Sequence, residues 1–408
     1  LFHLLLFCAV LVHESTLLAA VFSAVLQARN ITRAIKSALS LQQLQQIVQQ
    51  ANSHLNPIHA AAALNTAARL ARLGSAAPKS TDAAASQGSS SSGSSNAEQG
   101  GSAATIAELL SVLLPGWLAV LPQARPRELA SVLYACAKLH CTNEQLWSAT
   151  IAAFMQPECV RQANAQDLST IAYALATAGV AEQPTAAPEG AGSVSSSSNS
   201  SSVSAVPGLA VEQVQLALQV MALQLAVLLS PAEAAAAGAD HAQSIVKVLW
   251  AHAKLGCAMG SQELLLLLQT LAQPSLLQAA DAQALANTLW AVSELQQLPA
   301  WQQQQPEQRK AAVKALQQVW VQLLAPLQLR KIARGSPQAV ANSLLALGRL
   351  GAGGPGQHAI AVPFAQECAL QLLDGPTAQK LDTWSAHVSG QGLVVTVNCY
   401  QTWQAEEL

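Results

Sequence analysis

Leu285 to Leu295 reads L-A-N-T-L-W-A-V-S-E-L, and the same phrase returns along the chain with changed words. Leu129 opens L-A-S-V-L-Y-A-C-A-K-L, Leu168 opens L-S-T-I-A-Y-A-L-A-T-A, Ile245 opens I-V-K-V-L-W-A-H-A-K-L and Val340 opens V-A-N-S-L-L-A-L-G-R-L. Weaker copies open at Ala63 (A-L-N-T-A-A-R-L-A-R-L) and surround Trp384. Leu129 to Leu168 is 39 residues and Ile245 to Leu285 is 40. The longer gaps hold insertions: 66 residues from Ala63 to Leu129, 77 from Leu168 to Ile245 and 55 from Leu285 to Val340. The 77-residue gap has room for a whole degenerate repeat. A unit of this length, repeated, is the mark of a stacked-repeat architecture.

Composition agrees. Hydrophobic residues make up 51% of the chain and charged residues 10%, with Ala, Leu and Gln dominant. Those are strong helix formers. The expected fold is therefore all-α: an α-solenoid of helix-turn-helix repeats of 38–40 residues, with disordered low-complexity insertions. The formal net charge of −2 argues against a broad, non-specific nucleic-acid glue. The seven cysteines are scattered without a C-x-x-C, which reads as small buried hydrophobes in a reducing compartment.

The chain divides into an apolar N-terminal segment (1–29), a helical region with a degenerate repeat (30–74), a Ser/Gly/Ala linker (75–103), helical repeats (104–182), a Ser-rich linker (183–207), further repeats (208–375) and a degenerate C-terminal repeat (376–408). The two linkers lack the apolar bulk to offset their ordering entropy and read as disordered. The first apolar run, L-F-H-L-L-L-F-C-A-V-L-V, stops at His13. A membrane helix needs about 18 uninterrupted apolar residues, so a membrane partner is not expected. Residues 1–74 carry a charge of +4, from Arg29, Arg33, Lys36, Arg69 and Arg72 against Glu14.

Local signals place the helices. Asn30 starts a short basic helix, and Ser40 caps L-Q-Q-L-Q-Q-I-V-Q-Q. Pro57 opens the Ala63 helix. Thr105 caps a helix through Leu114 that Pro115-Gly116 breaks. Asn143 starts a second helix, with the same pairing expected at Ser261–Ala272 and Pro363–Leu373. Val211–Leu229 is apolar and helical without the signature, either a second helix of one unit or an eroded repeat.

On an eleven-position repeat helix numbered from Leu285, positions 1, 4, 5, 8 and 11 share one face at about 100° per residue. They are mostly Leu, Val, Ile or Ala and form the core stripe. Positions 2, 7 and 9 are mostly Ala, small enough for neighbouring helices to approach. Position 3 is Ser131, Thr170, Lys247, Asn287 and Asn342; position 10 is Lys138, Thr177, Lys254, Glu294 and Arg349. Both positions hydrogen-bond in every good copy, yet their identity changes from copy to copy. That is what reading one base per repeat requires, and equally what a solvated helix face looks like. Position 6 is Tyr134, Tyr173, Trp250, Trp290 and Leu345. Such rings either stack bases or wedge between units.

The signature, its period and the segment N-I-T-R-A-I-K-S-A-L-S-L-Q-Q-L-Q-Q-I-V-Q-Q followed by H-L-N-P-I-H-A-A-A-A-L-N resemble the octotricopeptide repeat proteins of green algae. These are related to the FAST-kinase-like leucine-rich proteins of mitochondria. The resemblance covers Asn30 to Leu350 outside the two linkers. It implies binding of single-stranded organellar RNA, in the chloroplast stroma or alternatively the mitochondrial matrix, in transcript processing, stability or translation. It implies other RNA-maturation or ribosome-associated proteins as partners. Many members end in a nuclease-like RAP domain; here only Gly392–Cys399 is strand-like, so RNA cleavage is not expected.

No catalytic, cofactor or metal site is expected. Gly351 to Gly356 formally matches G-x-G-x-x-G, but it follows a helix and contains Pro355, so it reads as a helix-ending loop. Cys136, His140 and Cys141 are close in sequence without an evident fourth ligand. The rival to RNA binding is a protein-interaction scaffold, since helical solenoids also bind peptides along such a surface.

Overall fold

The computed structural model describes residues 23, 25–51, 54–75, 97–179, 206–229, 238–303 and 306–351. The apolar opening, most of both linkers, the Pro363–Leu373 helix, the Trp384 copy and Gly392–Cys399 lie outside them. Every regular element among the described residues is helical, and the helices pack on one another. The chain forms two compact units, Leu1–Cys159 and Val160–Leu408.

The first unit contains α1 (25–37), α2 (Leu41–Ala51), α3 (Pro57–Ser75), α4 (Ala97–Val120), α5 (Pro126–Lys138), α6 (Glu144–Phe154) and the start of α7 (Pro157–Gln162). Ser40 caps α2 as expected, its Oγ accepting from Gln43 N at 3.1 Å. Asn30 does not start a helix: α1 is already helical from residue 25. Ahead of Asn30, Ala28 O lies 3.0 Å from His59 Nε2 of α3, a tertiary contact that the local signal does not carry.

Helix α4 corrects a second expectation, because it runs straight through Pro115. Leu109, Leu113 and Trp117 are buried along one face, and Trp117 Nε1 donates to Thr150 Oγ1 of α6 at 3.0 Å. Burying three large side chains outweighs the roughly 3 kcal/mol that an interior proline costs. Pro115 and Ser111 are both exposed, so water can satisfy the carbonyl that proline leaves without its donor.

The second unit contains α8 (Ala165–Ala178), α9 (Val211–Leu228), α10 (Ala239–Lys254), α11 (Ser261–Leu271), α12 (Pro274–Ala279), α13 (Ala282–Gln297), the one-turn α14 (Pro299–Gln302), α15 (Pro306–Leu323), α16 (Pro326–Ala333) and α17 (Pro337–Gly351). The signature helices α8, α10, α13 and α17 pack each on the next in one layer. Helices α9, α11 and α15 pack in the same order in a second layer. Val211–Leu228 is thus the second helix of a unit, and α8 meets α10 directly across the 77-residue gap. Both low-complexity stretches enter at the same junction, between a first-layer helix and its second-layer partner: α3 to α4, and α8 to α9.

Each full unit also has a third, short helix that the helix-turn-helix expectation lacked. These are α7, α12 and α16, each starting with proline at its first turn. Helix α12 packs on α10 and α11; α16 packs on α13 and α17.

The first-layer helices begin and end on recurrent devices. Asn164 Oδ1 accepts from Asp167 N at 2.9 Å, and Asp281 Oδ1 accepts from Ala284 N at 2.7 Å. Helices α5 and α10 end in A-K-L-H-C and A-K-L-G-C. Cys141 N donates to Cys136 O and Cys257 N to His252 O, each at 2.9 Å, closing Schellman motifs. The left-handed residue is His140 (φ 50°) in one and Gly256 (φ 64°) in the other.

Candidate nucleic-acid interface

Burial along the signature helices is almost complete. In α10, positions 1, 4, 5, 8 and 11 (Ile245, Val248, Leu249, His252 and Leu255) are buried, and so are positions 2, 7 and 9 (Val246, Ala251 and Ala253). In α13 the same eight positions are buried, with Thr288 and Ser293 included because their hydroxyls donate to Ala284 O and Trp290 O. A first-layer helix is therefore enclosed by its own second helix and by both neighbours in the layer. What remains is one stripe, positions 3, 6 and 10.

The structure places every described row residue on that stripe. Ser131, Tyr134, Lys138, Thr170, Tyr173, Thr177, Lys247, Trp250, Asn287, Trp290, Glu294 and Asn342 are partly exposed, and Lys254 is exposed. The side chain of Arg349 lies outside the described residues.

Within the second unit, equivalent positions on successive helices meet. Asn342 Nδ2 donates to Asn287 Oδ1 at 3.4 Å, joining position 3 of α17 to position 3 of α13. Asn287 Oδ1 also accepts from Gln283 Nε2 at 2.8 Å. Gln283 Oε1 in turn accepts from Ser336 Oγ at 2.9 Å. At position 6, the rings of Tyr173 and Trp250 stack with centroids 5.4 Å apart and planes 26° from parallel. That separation leaves no room for a base between them. The pair instead packs α8 against α10 along this stripe and leaves only the rims of its rings open. Thr177 Oγ1 donates back to Tyr173 O at 2.8 Å, which fixes its rotamer on the stripe.

The first unit adds residues that the signature alone did not single out. A cavity of about 440 Å³ between α3 and α5 is lined by Asn65, Arg69, Arg72, Tyr134 and Lys138, among others. Asn65 and Arg72 are positions 3 and 10 of the weak Ala63 copy. Their membership was readable by carrying the numbering back one repeat. Lys138 Nζ lies 5.5 Å from the centre of the Tyr134 ring, a cation–π contact that holds the ammonium over this cavity's aromatic wall.

Cys136 and Cys141 do lie side by side. A hydrogen bond from the Cys136 thiol brings Cys141 down to about 7, while that bond and burial push Cys136 well up. Both are buried and His140 is exposed, at the left-handed corner of the cap. Among the described residues, no three His, Cys, Asp or Glu side chains converge on a point where a metal ion could sit.

No protein-family model matches the chain, and no curated protein matches it.

Proposed function

We propose that this chain is an α-solenoid that binds single-stranded RNA of an organelle, with positions 3, 6 and 10 as the contact surface. By the resemblance of its repeats, the compartment is the chloroplast stroma, with the mitochondrial matrix as the alternative. The role is in processing, stability or translation of particular transcripts. The observation that carries the reading is register: Asn287 meets Asn342, and Tyr173 meets Trp250. Polar and aromatic side chains thereby form lines across consecutive helices, as a strand of nucleotides would need. Base edges are addressed by the amides and hydroxyls of Ser131, Thr170, Asn287 and Asn342, and phosphates by Lys138, Lys247 and Lys254.

The test is crosslinking and sequencing of bound RNA from the protein's own cell, followed by in vitro binding. Asn287→Ala with Asn342→Ala is expected to weaken cognate RNA by about 2–4 kcal/mol, taking two polar base contacts at 1–2 each, and unrelated RNA far less. Equal loss on both sequences would refute base reading at these positions.

A second reading rests on α9. Leu216, Leu223 and Val227 are 55%, 54% and 63% exposed and fall along one face of that helix. An apolar stripe of this kind suits a helical protein partner. Phosphate-dominated binding weakens steeply with salt, whereas docking on α9 does not, so a salt series separates the two.

A further inference from the structure

The N-terminal helix α1 lies against α3. His59 Nε2 is 3.0 Å from Ala28 O, and Arg69 Nη2 donates to Ala38 O at 3.0 Å and to Lys36 O at 3.4 Å. Where α1 meets the start of α3, a groove of about 750 Å³ opens, with Arg29, Arg33 and Lys36 along one wall. All three are exposed. On a helix they rise by roughly 6 Å and then 4.5 Å, so they present a graded line of positive charge rather than a cluster. Thr32, Ser37 and Asn56 add hydrogen-bonding groups to the lining. Neither this groove nor the α3/α5 cavity has a carboxylate in its lining. From residue 23 to 75 the chain carries five Arg and Lys and no Asp or Glu, although its overall charge is −2. Arg69 sits at the junction: it bonds the C-terminal end of α1, whose Lys36 lines the first space, and itself lines the second with Arg72 and Lys138.

We propose that these two spaces in the first unit form one phosphate track, which holds the sugar-phosphate backbone of a single RNA strand without reading its bases. The proposal rests on the RNA reading above and assigns these two spaces a distinct task within it. Line-like spacing, flanking hydroxyl and amide groups, and an aromatic wall at Tyr134 favour a nucleic-acid strand over an acidic peptide. The apolar rim, where Val25 and Ile58 are 45% and 55% exposed, makes an anionic lipid surface the competing occupant.

The test uses the full chain and labelled oligo-U and oligo-A, which need no knowledge of the natural target. Affinity is measured by fluorescence anisotropy from about 50 to 200 mM salt. Against the parent chain, Arg29→Ala/Arg33→Ala/Lys36→Ala is expected to lower the slope of log affinity against log salt by about 2, at roughly 0.7 per lost phosphate contact on a single strand. Both oligomers should be affected equally. The variant with Arg29→Lys/Arg33→Lys/Lys36→Arg keeps the charges and is expected to keep the slope. Unchanged amide hydrogen exchange across α2 and α3 shows that the fold of the first unit is intact. If the parent binds both oligomers and the alanine variant keeps the parental slope, the track is overturned while base reading elsewhere survives. If the parent binds neither at low salt, the RNA reading falls together with the track. If the alanine variant loses only binding to phosphatidylserine vesicles, the groove belongs to a lipid surface and the proposal is overturned.

Discussion

His252 offers a sharp test of how a repeat tolerates a long insertion. It occupies core position 8 of α10, where other copies have Leu, Val or Cys, and it is fully buried. Its Nε2 lies 3.1 Å from Leu218 O in α9, and its Nδ1 lies 3.2 Å from Cys257 O in the cap that follows α10. The ring therefore ties together the second-layer helix beyond the Ser-rich stretch, the first-layer helix and the turn. Burial pulls its pKa down from 6.5, against the carbonyls of Leu218, Cys257 and Ala258, which push it up. In the neutral ring one nitrogen donates, so His252→Leu removes one buried hydrogen bond and strands a carbonyl. That costs about 1–3 kcal/mol, with roughly 1 more for the change of shape. Because the chain has two units, a global melt is a poor gauge. Amide hydrogen exchange is better: a local loss of about 2–4 kcal/mol speeds exchange across 211–228 by roughly 30- to 700-fold, with α5 and α6 unaffected. Acceleration below about fivefold, or spread evenly over the chain, would refute the clamp. The sign of the pH effect also follows. A histidine with a depressed folded pKa binds its proton more readily when unfolded, so stability in this region is full above about 6.5 and declines as pH falls through the ordinary histidine range towards the folded value. His252→Gln is expected to flatten that decline, measured as exchange rates in 211–228 against pH.

Two further substitutions probe devices seen elsewhere. His140 and Gly256 hold the same left-handed cap position, so His140→Gly should stabilise the first unit by about 1 kcal/mol and Gly256→Ala destabilise the second by about 1. Nothing lies within 4 Å of a β-carbon at Gly256, so its cost is purely conformational; calorimetry showing no change in either variant would contradict the cap assignment. Thr150→Val keeps the volume but leaves Trp117 Nε1 without its acceptor, and is expected to cost about 1–3 kcal/mol in denaturant unfolding of the first unit. A change under about 0.5 kcal/mol would mean that the indole finds another acceptor.

The signature helices were legible because both of their faces are written in the sequence. Large apolar residues at positions 1, 4, 5, 8 and 11 and small ones at 2, 7 and 9 leave three positions for solvent, and in α8, α10 and α13 those three are what the structure exposes. The short third helix was not legible. P-E-C-V-R-Q and P-S-L-L-Q-A are too brief to display a helical period, and their prolines read equally well as loop. Pro115 misled for a related reason: the local rule is real, but the burial of Trp117, bonded to Thr150 33 residues further along the chain, outweighs it. Of the candidate interface, the rows could be drawn from the numbering, whereas the contact between Asn287 and Asn342, 55 residues apart, could not. The stacking of Tyr173 on Trp250 needed the same knowledge of which helices are neighbours.

That both low-complexity stretches enter between first- and second-layer helices has a consequence for measurement along the molecule. Closing a longer loop costs only about 0.6 kcal/mol per doubling, so residues added at that edge barely tax the fold. They also leave untouched the packing of α8 on α10. The pitch of the contact rows is thus set by helix diameter and by the small residues at positions 2, 7 and 9, not by contour length. Within each unit, the spacing of neighbouring first-layer helices is therefore independent of how many residues enter at that junction. Residues added or removed at either junction are expected to leave the α3–α5 and α8–α10 packing in place.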